Sequence, residues 1–227
     1  MIATATCQVC GTQFEYDSRA SDTSFRIPAP TICQSCDVAE REAAERRRRQ
    51  EALADRNVPA RYASATFDTY VPQTPSQQRA LEVMRDSAAE GVYLVGRAGV
   101  GKTHLAACAV LDGPRDSLFV ATTELLEDIR AGLHGNGRGL YERAKRAPLL
   151  VLDDLGSEAV TDWVRDRIYS LLNTRWNAVR PLIVTTNVTA KDIAERIGDG
   201  AASRLAGLCR HRIEVQGPDA RRYGVSR

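Results

Sequence analysis

Residues 91–95 (GVYLV) form a short apolar run that leads directly into Gly96-Arg97-Ala98-Gly99-Val100-Gly101-Lys102-Thr103, and a helical stretch follows over 102–111. This octapeptide has the pattern G-x-x-x-x-G-K-[ST] in the strand-to-helix context that the pattern requires. Its glycines let backbone N–H groups turn inward around phosphate oxygens, and the helix N-terminus adds positive potential. Lys102 then reaches the β- and γ-phosphates, and the Thr103 hydroxyl ligates Mg²⁺. Lysine is rare here, three residues against 28 arginines, so its place in a glycine-rich turn carries weight. The predicted binding set is Gly96, Ala98, Gly99, Val100, Gly101, Lys102, Thr103 and His104, and the expected ligand is a nucleoside triphosphate.

Further apolar runs lie at 117–121 (SLFVA), 149–152 (LLVL), 182–186 and 212–215, separated by predicted helices at 123–131, 140–146, 162–179 and 190–209. Continuous apolar strands alternating with helices predict an α/β fold, with a five-stranded parallel sheet covered on both faces. The length of 227 residues suits one medium domain plus a small appendage. No apolar run approaches the ~20 residues of a membrane span. The first 25 residues hold no signal-type apolar core, which predicts a cytoplasmic protein.

Two strand ends carry polar chemistry. The run at 149–152 ends in Asp153-Asp154. A strand set beside the phosphate-loop strand would bring Asp153 to the Mg²⁺ shell, leaving Asp154 to orient or deprotonate the attacking water. Asp154 is shorter than the more usual Glu, which predicts slow turnover. Thr185-Thr186-Asn187 closes another strand and sets Asn187 at the crevice where open α/β sheets bind ligand, within reach of the lytic water or the γ-phosphate.

The N-terminal region obeys different rules. Cys7 and Cys10 pair with Cys33 and Cys36 across 22 intervening residues, while Cys108 and Cys209 stand alone in apolar helical surroundings. Two Cys-x-x-Cys units in a reducing compartment predict tetrahedral Zn²⁺ rather than disulfides; iron–sulfur ligation is the alternative chemistry. Metal would replace the apolar core that residues 1–36 lack. Residues 37–56 hold six acids and six bases without Gly or Pro, which predicts a solvated linker helix ended at Asn57-Val58-Pro59. The arginine run at 46–49 sits within this neutral segment.

From residue 57 to 222 the chain resembles the AAA+ module of the DnaC/IstB family of helicase loaders and transposition helper ATPases. The matching stretches, in the family's order, are VPARYASATFDTY, GVYLVGRAGVGKTHLAACAV, LLVLDDLGSE, IVTTN, SRLAGLCR and GPDAR. The resemblance implies an AAA+ P-loop ATPase over residues 57–227, preceded by a four-cysteine zinc module (1–36) and a linker helix (37–56). It sets Lys102 and Thr103 on Walker A, Asp153 and Asp154 on Walker B, and Asn187 on sensor 1. Arg204 falls on the arginine finger that completes a neighbouring subunit's site. Arg221 falls on an arginine near the phosphates, with Arg222 the other candidate. Residues 57–62 correspond to the border of the adenine pocket.

Residues 132–146 place His134, Arg138, Arg143, Lys145 and Arg146 between two core elements, with Tyr141 available for stacking. Flexible glycines and cations of this kind suit a path for single-stranded DNA. Some loaders of the family carry a zinc module that contacts the helicase, whereas the transposition helpers usually have a helical N-terminal region. The resulting expectation is an ATP-dependent loader that self-associates with ATP and deposits a replicative helicase on single-stranded DNA. The alternatives are a transposition helper acting on a transposase, and an adaptor that uses ATP as a switch with negligible turnover.

Overall fold

The computed structural model describes residues 2–17, 30–132 and 139–220. The chain divides into two compact units, Met1–Glu51 and Ala52–Arg227. In the first, strands β1 (Ile2–Thr6) and β2 (Gln13–Asp17) form an antiparallel hairpin with Ile2 opposite Asp17 and Thr6 opposite Gln13. Helix α1 (Gln34–Asp55) begins directly after the second cysteine pair is entered, at Cys33. Neither strand buries a residue fully: Ile2 is exposed, and Phe14 and Tyr16 are only half-buried. The buried groups are instead Cys7 and Cys33.

The second unit follows the α/β expectation. Its elements run α2 (Pro75–Ser87), β3 (Val92–Val95), α3 (Lys102–Asp112), β4 (Leu118–Ala121), α4 (Thr122–Gly132), α5 (Leu140–Arg146), β5 (Leu150–Asp153), α6 (Asp162–Asn177), β6 (Leu182–Thr186), α7 (Ala190–Ile197), α8 (Asp199–Leu208) and β7 (His211–Glu214). The five strands β3 to β7 are parallel in the order β4-β5-β6-β3-β7.

Period-two alternation sends successive strand residues to opposite cores. Leu118, Val120, Leu150, Leu152, Leu182 and Val184 face one core, closed by α4 to α8. Phe119, Val151, Ile183, Val92, Leu94 and Ile213 face the other, closed by α2, α3 and residues 53–67. Both faces of the sheet are therefore dry. Cys108 and Cys209 are buried free thiols within these cores.

Two features depart from the sequence reading and one refines it. The strand ending in Asp153 does not adjoin the phosphate-loop strand: β6 lies between β5 and β3. Hydrophobicity cannot order strands that are all apolar, so this position was set by packing. The stretch expected to be mostly helical over 190–209 is so, divided into α7 and α8 at Gly198 (φ 86°), a backbone conformation that costs glycine little. Helix α2 was not anticipated, although Thr74-Pro75 is a start signal: the Thr74 hydroxyl accepts from Gln77 N–H at 3.2 Å and Pro75 occupies the first turn.

The entry to the second unit is held by Arg56 and Asn57. The Arg56 guanidinium donates to the carbonyls of Val110 (2.7 Å) and Leu111 (2.6 Å), capping the end of α3. Arg56 O accepts from Phe119 N–H on the sheet's edge strand, and Asn57 Nδ2 donates to Phe119 O. The edge of β4 is thus covered by the chain itself. Among the described residues no helix is long and apolar enough to cross a membrane.

Candidate functional site

A cavity of about 620 Å³ opens at the C-terminal ends of β3, β5 and β6. Residues 98–104 form its floor, Asp153, Asp154, Thr185 and Asn187 one wall, and Arg61, Tyr62 and Tyr70 another. Its size is that of a small-molecule or cofactor site. The loop of residues 96–101 holds its shape through glycine. Gly99 (φ 83°) and Gly101 (φ 96°) are left-handed, and a Cβ at Gly101 would lie 2.6 Å from the Tyr70 ring. Tyr70 Oη and Gln77 Nε2 both donate to Val100 O, at 3.3 and 3.2 Å, and fix the loop from outside. Ala220 N–H donates to Gly99 O, tying the segment after β7 to the same loop.

Lys102 is 6% exposed. Its ammonium donates to Gly96 O (2.7 Å), Arg97 O (2.9 Å) and Asn187 Oδ1 (2.9 Å). Asn187 Nδ2 donates in turn to Asp154 Oδ1 at 2.8 Å. The carboxamide therefore bridges the loop cation and the second carboxylate, although these residues come from the end of β6, α3 and the turn after β5. Thr103 and Asp153, the pair expected to share Mg²⁺, both line the cavity. Burial raises the Asp153 carboxyl above its ordinary value, opposed by the hydrogen bonds from Thr185 and Thr103. A glycine-bent loop lining the cavity, one buried lysine, and the Thr103 hydroxyl and Asp153 carboxylate fit a magnesium–nucleoside triphosphate.

Asp154 has φ 57°, a left-handed conformation that Asp tolerates better than most side chains. Its turn is closed by Ser157 Oγ donating to Asp154 O (2.9 Å), by Glu158 Oε2 accepting from Gly156 N–H (2.9 Å) and by Arg196 donating to Gly156 O (2.8 Å).

The cavity also contains Tyr70, which the sequence did not single out, beside the expected His104 and Tyr62. Tyr70 and Tyr62 lie 5.5 and 6.3 Å from the His104 ring, centroid to centroid, forming an aromatic wall beside the phosphate loop. Burial holds the His104 imidazole below its ordinary pKa, so that ring is uncharged at neutral pH. Tyr70 closes the matching stretch VPARYASATFDTY, but nothing in that stretch assigns it to the site.

Arg204, on α8, lies outside this cavity: its Nε donates to Asn173 Oδ1 (3.1 Å) and its guanidinium lies 5.8 Å from the Trp176 ring. Arg138, Arg221, Arg222 and His134 lie outside the described residues. Lys145 pairs with Glu142 at 2.6 Å and covers the Tyr141 ring at 4.6 Å. Arg143 donates to Asp55 O, while Arg146 is exposed and 3.7 Å from Glu142. Tyr141 is not available for stacking: it packs on the core and donates to Arg167 O at 3.1 Å.

In the first unit the four sulfurs of Cys7, Cys10, Cys33 and Cys36 all lie within 4.8 Å of one another, with Cys10 and Cys33 3.7 Å apart. Zn–S bonds of about 2.3 Å in a tetrahedron separate sulfurs by about 3.8 Å. Gly11 (φ 73°) makes the tight turn, its N–H donating to Cys7 O. Backbone N–H groups of Cys10 and Cys33 hold the Cys7 thiol down to about 6, and the Ser35 hydroxyl lowers Cys33. Cys36 is pushed up to about 12 by the neighbouring sulfurs, first Cys33. A thiol raised by crowding with other sulfurs is what a cation at the centre would relieve, so the cluster fits zinc.

Comparison with known proteins accords with the fold. Over 152 residues the chain is 36% identical to an ATP-binding protein of an insertion sequence in Mycobacterium tuberculosis, covering 62% of this chain and 61% of that one. It is 32% identical over 111 residues to the replicative helicase loader DnaI of Bacillus subtilis, covering 46% and 35%. The chain therefore spans between about a third and three-fifths of these curated relatives. The solved structure of the DnaC helicase loader superposes with a TM-score of 0.63 at 30% identity, covering 70% of this chain and all of that one. These neighbours share the AAA+ P-loop architecture, a parallel sheet with helices on both faces. The family profile of IstB-like ATP-binding proteins matches residues 35–218, and the chain belongs to that family.

Proposed function

We propose that this protein is an ATP-dependent helicase loader that binds a replicative DNA helicase and deposits it on single-stranded DNA. The observation that carries the reading is the combination, in one chain, of the four-cysteine cluster and the Lys102–Asn187–Asp154 network. The first unit would hold one Zn²⁺ on Cys7, Cys10, Cys33 and Cys36 and dock on the helicase. The metal replaces the missing apolar core and keeps the hairpin and the start of α1 in register.

In the second unit, Lys102 would exchange backbone carbonyl oxygens for β- and γ-phosphate oxygens, while Thr103 and Asp153 hold Mg²⁺. The metal supplies charge neutralisation on the phosphates. Asp154, steadied by the Asn187 amide, accepts the proton of the attacking water. Asn187 touches both the lysine and this carboxylate, so a group that draws Lys102 outward also alters the hold on Asp154. Arg204 would complete the site of a neighbouring subunit, making turnover a property of the assembly. Single-stranded DNA would follow Arg138, Arg143, Lys145 and Arg146. Arg221 or Arg222 would approach the phosphates from the segment that Ala220 anchors to Gly99.

A second reading, a transposition helper that regulates a transposase, is favoured by the 36% identity to the insertion-sequence protein. Mixing the protein with the replicative helicase of its own organism, in ATP and Mg²⁺, separates the two by sizing. A stoichiometric complex that weakens on Cys33→Ser is expected for the loader. Capture of a transposase, with no helicase complex, would establish the helper. ATP binding without turnover, with or without single-stranded DNA, would leave only the switch adaptor.

A further inference from the structure

Thr185 occupies a singular place in the sheet. It is 1% exposed on β6, the strand between the phosphate-loop strand and the carboxylate strand, and pairs in register with Leu94 of β3. The β5–β6 ladder ends at Leu152 opposite Val184, which brings Asp153 level with Thr185 where the two strands begin to part. There the Thr185 hydroxyl donates to Asp153 Oδ1 at 2.6 Å and accepts from Asp154 N–H at 3.0 Å. Its backbone carbonyl accepts from Leu155 N–H at 3.0 Å. The next residue continues the arrangement: Thr186 Oγ1 donates to Leu155 O at 2.5 Å and accepts from Val188 N–H at 3.0 Å. Three consecutive residues of the acidic turn are thus held by two consecutive threonines, one of which reaches both carboxylate residues at once.

The need for such a hold follows from Asp154. A left-handed Asp costs conformational energy and persists only when its surroundings over-determine it. One hydroxyl has one proton and two lone pairs. With its proton committed to the Asp153 carboxylate, the Thr185 oxygen presents a lone pair to the Asp154 amide, so each hydrogen bond sets the direction of the other. A threonine does this better than a serine because its β-branch restricts χ1.

We infer that Thr185 is a positioning residue that couples the metal-holding carboxylate of Asp153 to the water-directing carboxylate of Asp154, so that a single hydroxyl sets both. The inference rests on the proposed hydrolysis of ATP at this site. Its mark is a joint loss: removing the hydroxyl loosens the Mg²⁺ position and the backbone of the catalytic turn together, while the phosphate loop, held by Tyr70 and Gln77 instead, keeps its grip on nucleotide.

The test compares wild type, Thr185→Val, Thr185→Ala and Thr185→Ser in the full chain. A fluorescent ATP analogue is titrated with Mg²⁺ at equilibrium, and steady-state turnover is measured alongside. Outer-shell partners of metal ligands typically contribute 10- to 100-fold, so Thr185→Val should lower kcat by about 10- to 100-fold and raise the Mg²⁺ half-saturation of binding by about tenfold. Its KM and analogue affinity at saturating Mg²⁺ should stay within about threefold of wild type, and Thr185→Ser should recover both losses to within about threefold. A Thr185→Val protein with wild-type kcat and wild-type Mg²⁺ half-saturation overturns the inference. So does loss of analogue binding in both hydroxyl-free variants with binding intact in Thr185→Ser, because Thr185 is then scaffold for the fold. A wild-type protein that binds the analogue without turnover takes down the hydrolysis reading instead, and the Mg²⁺ titration alone then decides Thr185.

Discussion

At Lys102 one ammonium is shared among three oxygens, and two of them are backbone carbonyls of the loop it serves. Lys102→Ala should abolish nucleotide binding, because the phosphates then meet backbone amides without a point charge. Asp154→Asn should bind ATP as wild type does and lose turnover by about two orders of magnitude or more, the usual worth of a positioned base. Isothermal titration and phosphate release read the two effects separately, and undiminished ATP affinity in Lys102→Ala would refute the nucleotide site. His104 offers a pH test. Burial holds its imidazole below the ordinary value of 6.5, so protons bind the unfolded chain first. Its contribution is complete above pH 6.5 and is lost as pH falls below that value. Urea midpoints measured from about pH 7.5 down to about 5.5 should decline, and His104→Asn should flatten the decline.

At the scale of elements, one side chain ties two helices to the sheet. Arg175 of α6 is fully buried and donates to Ala144 O (2.7 Å), Ala147 O (2.9 Å) and Pro181 O (2.5 Å). It caps α5, and with Arg180 donating to Lys145 O it sets the entry to β6. Burial lowers its pKa to about 10, which still leaves it charged at neutral pH. Arg175→Met should destabilise the second unit by about 3–5 kcal/mol, since three buried carbonyls lose a charged donor. Calorimetry should show the loss, whereas Arg180→Met, at a more open position, should cost about 1 kcal/mol. In the first unit the hairpin lacks a core of its own. Freshly purified protein should contain one zinc per chain by elemental analysis. Chelation should erase the β1–β2 amide protection and leave that of the second unit unchanged, because metal binding there stands in for folding energy.

For the whole molecule the central test concerns assembly. Arg204 does not line the cavity of its own chain, so a role in turnover requires a second copy. Arg204→Ala should keep ATP affinity and lose turnover by about 10³-fold, the lower end for arginine fingers in other NTPases. Mixing it with Lys102→Ala should restore partial activity, since hybrid interfaces join an intact loop to an intact arginine. No recovery at any ratio, with assembly verified by sizing, would reduce Arg204 to its contacts with Asn173 and Trp176. DNA binding should fall with salt at a log–log slope of about −0.7 per phosphate neutralised. Arg143→Ala with Arg146→Ala should flatten that slope by about 1.4 for each chain engaged. Lys145→Ala should change it less, because that ammonium is already paired with Glu142.

The parts of this protein that could be read in its sequence are those where residue type and spacing are themselves the chemistry. Glycine at 99 and 101 is required by backbone conformation, Lys102 supplies charge, and the two Cys-x-x-Cys pairs bring four sulfurs within 4.8 Å of one another. The positions of the parallel strands and of the helices after β3 followed from period, because an apolar run bounded by breakers has few other uses in a chain of this length. What only the tertiary structure decided is neighbourhood. The order β5-β6-β3 was hidden because strands buried on both faces are chemically alike, and that order is what brings Thr185 between the phosphate loop and the acidic turn. Tyr70 reached the cavity through packing alone, and Tyr141, free by pattern, was drawn into the core by the same force. Hydrophobic burial is blind to direction, so sequence determines how much apolar surface must be covered, while the fit of one element on another determines which polar groups then meet.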